Sequence, residues 1–309
     1  MLLQLSYPDV IRLRGINTTF REIIDGDSFW KLKTRRDFGV PKEAPKVDAV
    51  TGNPVESWKE VYLSHGKLLE KDLFQAIKFN DSQLVQNLLD LGVNPNLEDE
   101  MGYTALSRAS KQGHTAIVEM LIDAGADPNL VNKYGVTALI KASEEGHAAI
   151  VEMLLKAGVN PDAADKYGNT ALIKASNGGH AAIVKMLLEA RANPDLADGN
   201  GYTALIKASN GGHAAIVKML LGARANPDVA NDIGYTALSR ASKQGHAAIV
   251  EMLIEARANP DVANNIGYTA LLEAYNAGHV YIVHLLLEAG ADPNPVIKYA
   301  NKYENTELS

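Results

Sequence analysis

The tripeptide Thr-Ala-Leu recurs at Thr104, Thr137, Thr170, Thr203, Thr236 and Thr269, each 33 residues after the last. Pro95, Pro128, Pro161, Pro194, Pro227, Pro260 and Pro293 keep the same interval, as do six of the eight histidines, from His114 to His279. A period of this length, held without insertion, is the mark of stacked supersecondary units and not of a sandwich or barrel. One unit of about 33 residues cannot bury an apolar face alone, so neighbours must stack and stability becomes a sum over adjacent interfaces. The expectation is an all-α solenoid.

Within one unit, GYTALSRASKQGHTAIVEMLIDAGADPN, the residues read as two short helices and a turn. Thr104 is placed to cap a first helix whose core positions are Leu106 and Ala109. After Gly113-His114, a second helix carries Ile117, Val118, Leu121 and Ile122 as one apolar stripe. Gly125 stands where a left-handed cap closes that helix, and Asp127-Pro128-Asn129 forces a turn. The pattern resembles the ankyrin repeat, whose T-P-L-H-x-A appears as TALSRA, TALIKA and TALLEA. The family's Pro is Ala throughout, and its His is Ile140, Ile173, Ile206, Leu272, Ser107 or Ser239, so the bond that His makes is expected to be missing.

A degenerate unit, LLEKDLFQAIKFNDSQLVQNLLDLGVNPN, comes first, with Leu73 and Ala76 where Leu106 and Ala109 stand one period later. Terminal repeats are expected to be atypical. The predicted division is a helical module and linker over 1–65, seven repeats (66–101, 102–134, 135–167, 168–200, 201–233, 234–266 and 267–299) and a tail over 300–309. Units starting at Gly168 and Gly201 share TALIKASNGGHAAIVKMLL, so little of the array is individually tailored.

Before Lys67 no repeat is visible, and both tryptophans, Trp30 and Trp58, lie there. The stretch LSYPDVIRLRGINTTFREIIDGDSFWKLKTRRDFG reads as three short helices over 1–38 and resembles an F-box in the spacing of Leu5, Asp9, Val10, Leu13, Ile16, Asn17, Phe20, Arg21, Ile24, Asp27, Phe29, Trp30 and Lys31. The Leu-Pro helix that normally opens an F-box would fall upstream of Leu2 in this register. The resemblance implies docking on a Skp1-type adaptor of a cullin ubiquitin ligase through Leu5, Pro8, Asp9, Leu13, Ile16, Phe20 and Trp30. The combination resembles F-box/ankyrin proteins that intracellular bacteria and large DNA viruses deploy in eukaryotic hosts. It implies a substrate-recruiting subunit, with a plain ankyrin scaffold or inhibitor as the alternative.

Composition narrows the function. No cysteine is present, which excludes disulfides, thiolate catalysis and sulfur-ligated zinc. A net charge of −7, carried by the array, argues against a general nucleic-acid binder. No apolar run approaches the roughly 18–20 residues of a membrane span, and Asp9 and Arg12 interrupt any signal-peptide core, so the expected location is the cytoplasm and the expected state a monomer.

No enzymatic set stands out: no Ser/His/Asp grouping, phosphate loop or H-E-x-x-H occurs, and no cofactor is expected. Histidines repeated about 10 Å apart in a stack are too distant to share a metal, and Glu144, Glu145 and the Asp/Asn turns are expected to be unpaired across repeats. Arg108, Lys141, Lys174, Lys207 and Arg240 hold one place in successive first helices until Glu273 ends the row, which predicts a cationic line that is either a set of solvated side chains neutralised by the surrounding negative field or a binding feature for an acidic protein target. Tyr103, Tyr202, Tyr235 and Tyr268 follow the loop glycines, and with Lys111, Gln112, Glu144, Glu145, Lys243 and Gln244 occupy positions that ankyrin proteins use for recognition, with packing as the equal alternative for the tyrosines. Arg191, Arg224 and Arg257 replace the capping glycine, which predicts strain or an altered cap.

Overall fold

A computed structural model describes residues 73–90 and 93–307 of the chain, which divides into two compact units, Met1–Leu130 and Val131–Ser309. Among the described residues every regular element is a helix, and extended pairing is confined to isolated bridges such as Ala164 with Thr170 and Ala197 with Thr203.

In the first unit, helical residues 73–78 and α1 (Ser82–Asp90) form one pair, and α2 (Ala105–Gln112) and α3 (Thr115–Asp123) the next. Helix α3 packs on both α1 and α2. Leu73 and Ala76 are buried, as are Leu106 and Ala109, so the degenerate unit keeps the core positions of the regular one.

The second unit repeats one pair five times: α4 (Ala138–Glu145) with α5 (Ala148–Lys156), α6 (Ala171–Asn177) with α7 (Ala181–Glu189), α8 (Ala204–Gly211) with α9 (Ala214–Gly222), α10 (Ala237–Gln244) with α11 (Ala247–Glu255), and α12 (Ala270–Asn276) with α13 (Val280–Glu288). First helices pack on first helices and second on second, which gives two parallel rows. The predicted core positions Leu139, Ile150, Val151 and Leu154 are buried with their period mates, apart from the half-buried Val283, and Ile140 is buried as well. The fourth position of the predicted stripe differs, because Ile122 and Leu155 are only half buried at the edge of their helices.

Local sequence explains the helix ends. Each repeat threonine accepts a hydrogen bond from the amide three residues on, for example Ile140 N to Thr137 Oγ1 at 3.1 Å, which satisfies one orphan donor. In the repeat of Thr236, Ser239 stands where the family's His would, and its hydroxyl supplies a local bond there: Oγ accepts from Thr236 N at 3.0 Å. The second helices start without a side-chain cap, and the capping histidine turns to the neighbouring repeat instead. Nε2 of His180 lies 3.2 Å from the Glu144 carbonyl, and Nε2 of His279 lies 3.1 Å from that of Lys243. A carbonyl only accepts, so Nε2 carries the proton in these pairs.

Two further features correct the sequence reading, and a third selects between its alternatives. The Asp/Asn turns are linked repeat to repeat: Asp162, Asp195 and Asp228 accept from the amides of Asn193, Asn226 and Asn259 at 2.8, 2.8 and 2.7 Å. Arg191, Arg224 and Arg257 keep the left-handed cap, with φ of 64°, 64° and 62°, so of the two expected outcomes the strained cap is the one observed. Finally, α14 (Asn294–Glu307) runs through residue 299 and packs on α12, although the periodicity carried no signal for it.

Candidate target-binding face

The first-helix row of the second unit presents the residues that the sequence singled out, and each is held by a partner rather than free in solvent. Lys141 and Lys174 both reach Glu144, at 2.7 and 3.0 Å. Lys207 pairs with Asp198 at 3.1 Å. This corrects two expectations: the cations do not form a solvated line, and Glu144 pairs across repeats. Burial alone would raise the Glu144 pKa, but hydrogen bonds from Lys141 and Lys174 outweigh it and hold the carboxyl below the usual glutamate value.

Tyrosines complete the row. The Tyr202 ring lies under Lys207, with Nζ 4.0 Å from its centre, and Tyr202 Oη accepts from Arg240 Nη2 at 2.9 Å. The Arg240 guanidinium stacks 3.9 Å over Tyr235, whose ring also meets Lys243 at 5.5 Å. Lys243 ends on the buried Glu273 at 3.3 Å, which is how the row closes where its basic residue is replaced. The alternation of cation and ring through Tyr202, Arg240, Tyr235 and Lys243 fixes long side chains that would otherwise be mobile. Tyr268 departs from this arrangement and packs edge-on against Tyr299 of α14, with centroids 6.0 Å apart.

In the first unit, Arg108 repeats the motif by itself. It pairs with Asp99 and stacks 4.3 Å over Tyr103. Burial raises the Asp99 pKa, but the amide of Tyr103, the Arg108 side chain and the amide of Met101 together lower it below the ordinary value.

One set of residues escaped the sequence reading. The position before the loop glycine carries Tyr167, Ile233 and Ile266 in three of the five repeats of the second unit, exposed by 64%, 50% and 71%, which is unusual for side chains of this size. Ile233 and Ile266 share their loops with Tyr235 and Tyr268, and the Tyr167 carbonyl accepts from the amide of Gly199 in the loop that leads to Tyr202. The signal lay in the hydrophobic residue that opens the x-G-x-T-A-L run, which at Ile233 and Ile266 stands two positions before a tyrosine that was read.

Among the described residues no three His, Asp or Glu side chains gather as a metal site would require, and no helix is long and apolar enough to cross a membrane. Leu5, Pro8, Asp9, Leu13, Ile16, Phe20 and Trp30, expected to meet an adaptor, lie outside the described residues.

A family model described as ankyrin repeats (3 copies) matches residues 73–165, 158–231 and 208–296, and the chain belongs to the ankyrin-repeat family. Its fold is the all-helical ankyrin solenoid, and ankyrin repeats imply a role in protein–protein interaction. No F-box domain is detected in the chain. No curated protein matches it.

Proposed function

We propose that the chain is a non-catalytic binding protein that holds a protein target against the first-helix and loop face of its second unit. Tyr202, Lys207, Tyr235 and Arg240 form the centre of that face, with Lys141, Lys174 and Tyr268 flanking it, while Arg108 and Tyr103 serve the first unit. The observation that carries this reading is the ordered tyrosine–cation row beside exposed Tyr167, Ile233 and Ile266, since rigid aromatic and arginine side chains with adjacent apolar area suit a binding surface. Replacing Tyr167, Ile233 and Ile266 together with serine leaves the buried core untouched. It should abolish capture of the target that full-length chain retains, and equal capture would refute the reading.

In its fuller form the proposal has residues 1–38 deliver the target to a Skp1-type adaptor, supported by the F-box-like spacing from Leu5 to Trp30. Co-purification of full-length chain with Skp1, lost on Trp30→Ala, is the expected result. The plain scaffold or inhibitor is favoured by the family match, which begins at residue 73. Absence of Skp1 from the purified chain would decide for it.

A further inference from the structure

Arg240 differs from the other basic residues of its row. Arg108, Lys141, Lys174 and Lys207 each have a carboxylate partner on the chain, whereas among the described residues Arg240 meets a phenol oxygen and two tyrosine rings and no carboxylate. Two substitutions in its own repeat explain this. Nine residues before Lys207 stands Asp198, its counter-ion, but nine residues before Arg240 stands Asn231. Three residues after Lys141 stands Glu144, its counter-ion, but three residues after Arg240 stands Lys243. Glu273, one repeat on, gives its Oε2 to Lys243 and makes no ion pair with Arg240.

The result is a half-buried guanidinium that is positioned but not neutralised. Tyr202 Oη and the Tyr235 ring fix its plane, and Nη2 is the donor that has an acceptor on the chain. Among the described residues the Nε and the Asn231 Nδ2 are both buried without a hydrogen-bond partner, as is the Glu273 Oε1 that Lys243 leaves over. An arginine held in place in partly dehydrated surroundings is preorganised for a carboxylate, because the ordering cost is already met and the pair would be charge-assisted. Charge balance points the same way: Tyr235 carries two cations, Arg240 and Lys243, and a single carboxylate, that of Glu273, is paired there.

We propose that Arg240, between Tyr202 and Tyr235, is the anchor for an acidic side chain on the protein target, which supplies the carboxylate that Asp198 supplies to Lys207 from within the chain. This deepens the reading of the face as the target-holding surface and rests on it.

The test uses full-length chain, a fluorescein-labelled decapeptide of alternating glutamate and serine, and anisotropy at low ionic strength. Asn231→Asp is the informative variant. Aspartate already fills the equivalent position at 165 and 198 with the same loop hydrogen bonds, so the variant should fold while giving Arg240 an internal counter-ion. Asn231→Asp and Arg240→Gln should each weaken peptide binding about tenfold or more, the scale expected when a desolvated charge pair is lost. Lys185→Gln, which removes the same charge from the exposed side of α7, should leave affinity within about twofold, as expected of an exposed charge. Undetectable binding by the wild type, equal affinity of wild type and Asn231→Asp, or an equal loss in Lys185→Gln would overturn the anchor. A target whose capture survives Arg240→Gln but not the triple serine variant would also overturn it, while leaving the target-holding face in place.

Discussion

The ring of His246 packs against the backbone of Gly212 in the preceding repeat, so closely that a β-carbon on Gly212 would stand 2.8 Å from the ring's Cε1. The same relationship joins Gly146 to His180, Gly179 to His213 and Gly245 to His279. It explains the Gly-His dipeptide at every period. The glycine ends one helix in the left-handed region, and the histidine one repeat later fills the space that its missing side chain leaves.

Gly212→Ala should therefore be destabilising for two independent reasons, a φ of +75° and a steric clash. Together they cost about 2–4 kcal/mol. Gly222→Ala is the control: nothing lies within 4 Å of its added β-carbon and it ends helix α9, so it should stabilise by about 0.5 kcal/mol. Urea denaturation of the two variants checks both signs, and destabilisation by both would remove the argument.

Arg191, Arg224 and Arg257 keep the cap geometry of Gly125 and Gly158, including the bond from the cap amide, at 2.9 Å for both Gly125 and Arg191. The left-handed conformation costs a side-chain residue about 1–2 kcal/mol, of which a cation at the helix end recovers about 0.3–1. Each Arg→Gly substitution should then raise stability by about 0.5–1 kcal/mol. A triple variant that melts no higher than the wild type would show that the arginines make compensating contacts in solution.

Ser143, Ser176, Ser209 and Ser242 are fully buried at one position of successive first helices, and their hydroxyls have no hydrogen-bond partner. An unsatisfied buried hydroxyl is costly, and alanine is also the better helix former. Alanine at any of the four should stabilise by about 0.5–1.5 kcal/mol, read from the denaturation midpoint. A loss would mean that the hydroxyl bonds a backbone carbonyl in solution.

The array could be read from the sequence because its determinants are local and repeated: a threonine that caps, a glycine that ends a helix, and apolar positions at fixed intervals. The pairing of the ladder could not, because it depends on reach between repeats. Glu144 is three residues from Lys141 but thirty from Lys174, and only the stack brings both lysines to one carboxylate. Helix α14 was missed for a related reason, since it follows the last repeat and shares none of its period. The exposed loop residues Tyr167, Ile233 and Ile266 were overlooked because an apolar residue before glycine reads as turn filling until its exposure is known.

Glu144 sets the acid side of stability. Its folded pKa lies below its unfolded one, so the contribution is present above the ordinary glutamate range and is lost as pH falls through the lower folded value. Glu144→Gln should therefore be less stable than wild type at neutral pH, and the gap should close on acidification. A gap that stays constant between neutral pH and pH 3 would show that Glu144 acts through packing alone.

The pair Lys207–Asp198 decides how the ladder must be mutated. Charge reversal of Lys141, Lys174 and Lys207 looks harmless if they are solvated, yet the Lys207 side chain is 25% exposed and its partner Asp198 only 7%. Lys207→Glu would set a second carboxylate beside a buried one, whereas Lys207→Met removes the charge and keeps the stem over Tyr202. The reversal should cost about 1–2 kcal/mol more than the methionine variant, since like charges in partly buried surroundings cannot be relieved by water. Asp198→Asn keeps the loop hydrogen bonds, as Asn231 does one repeat later, and should recover most of the loss when combined with Lys207→Glu. A double-mutant cycle by urea denaturation measures this directly. Additive effects of the two substitutions would show that Lys207 and Asp198 are not coupled and that the ladder is as solvent-like as the sequence alone suggests.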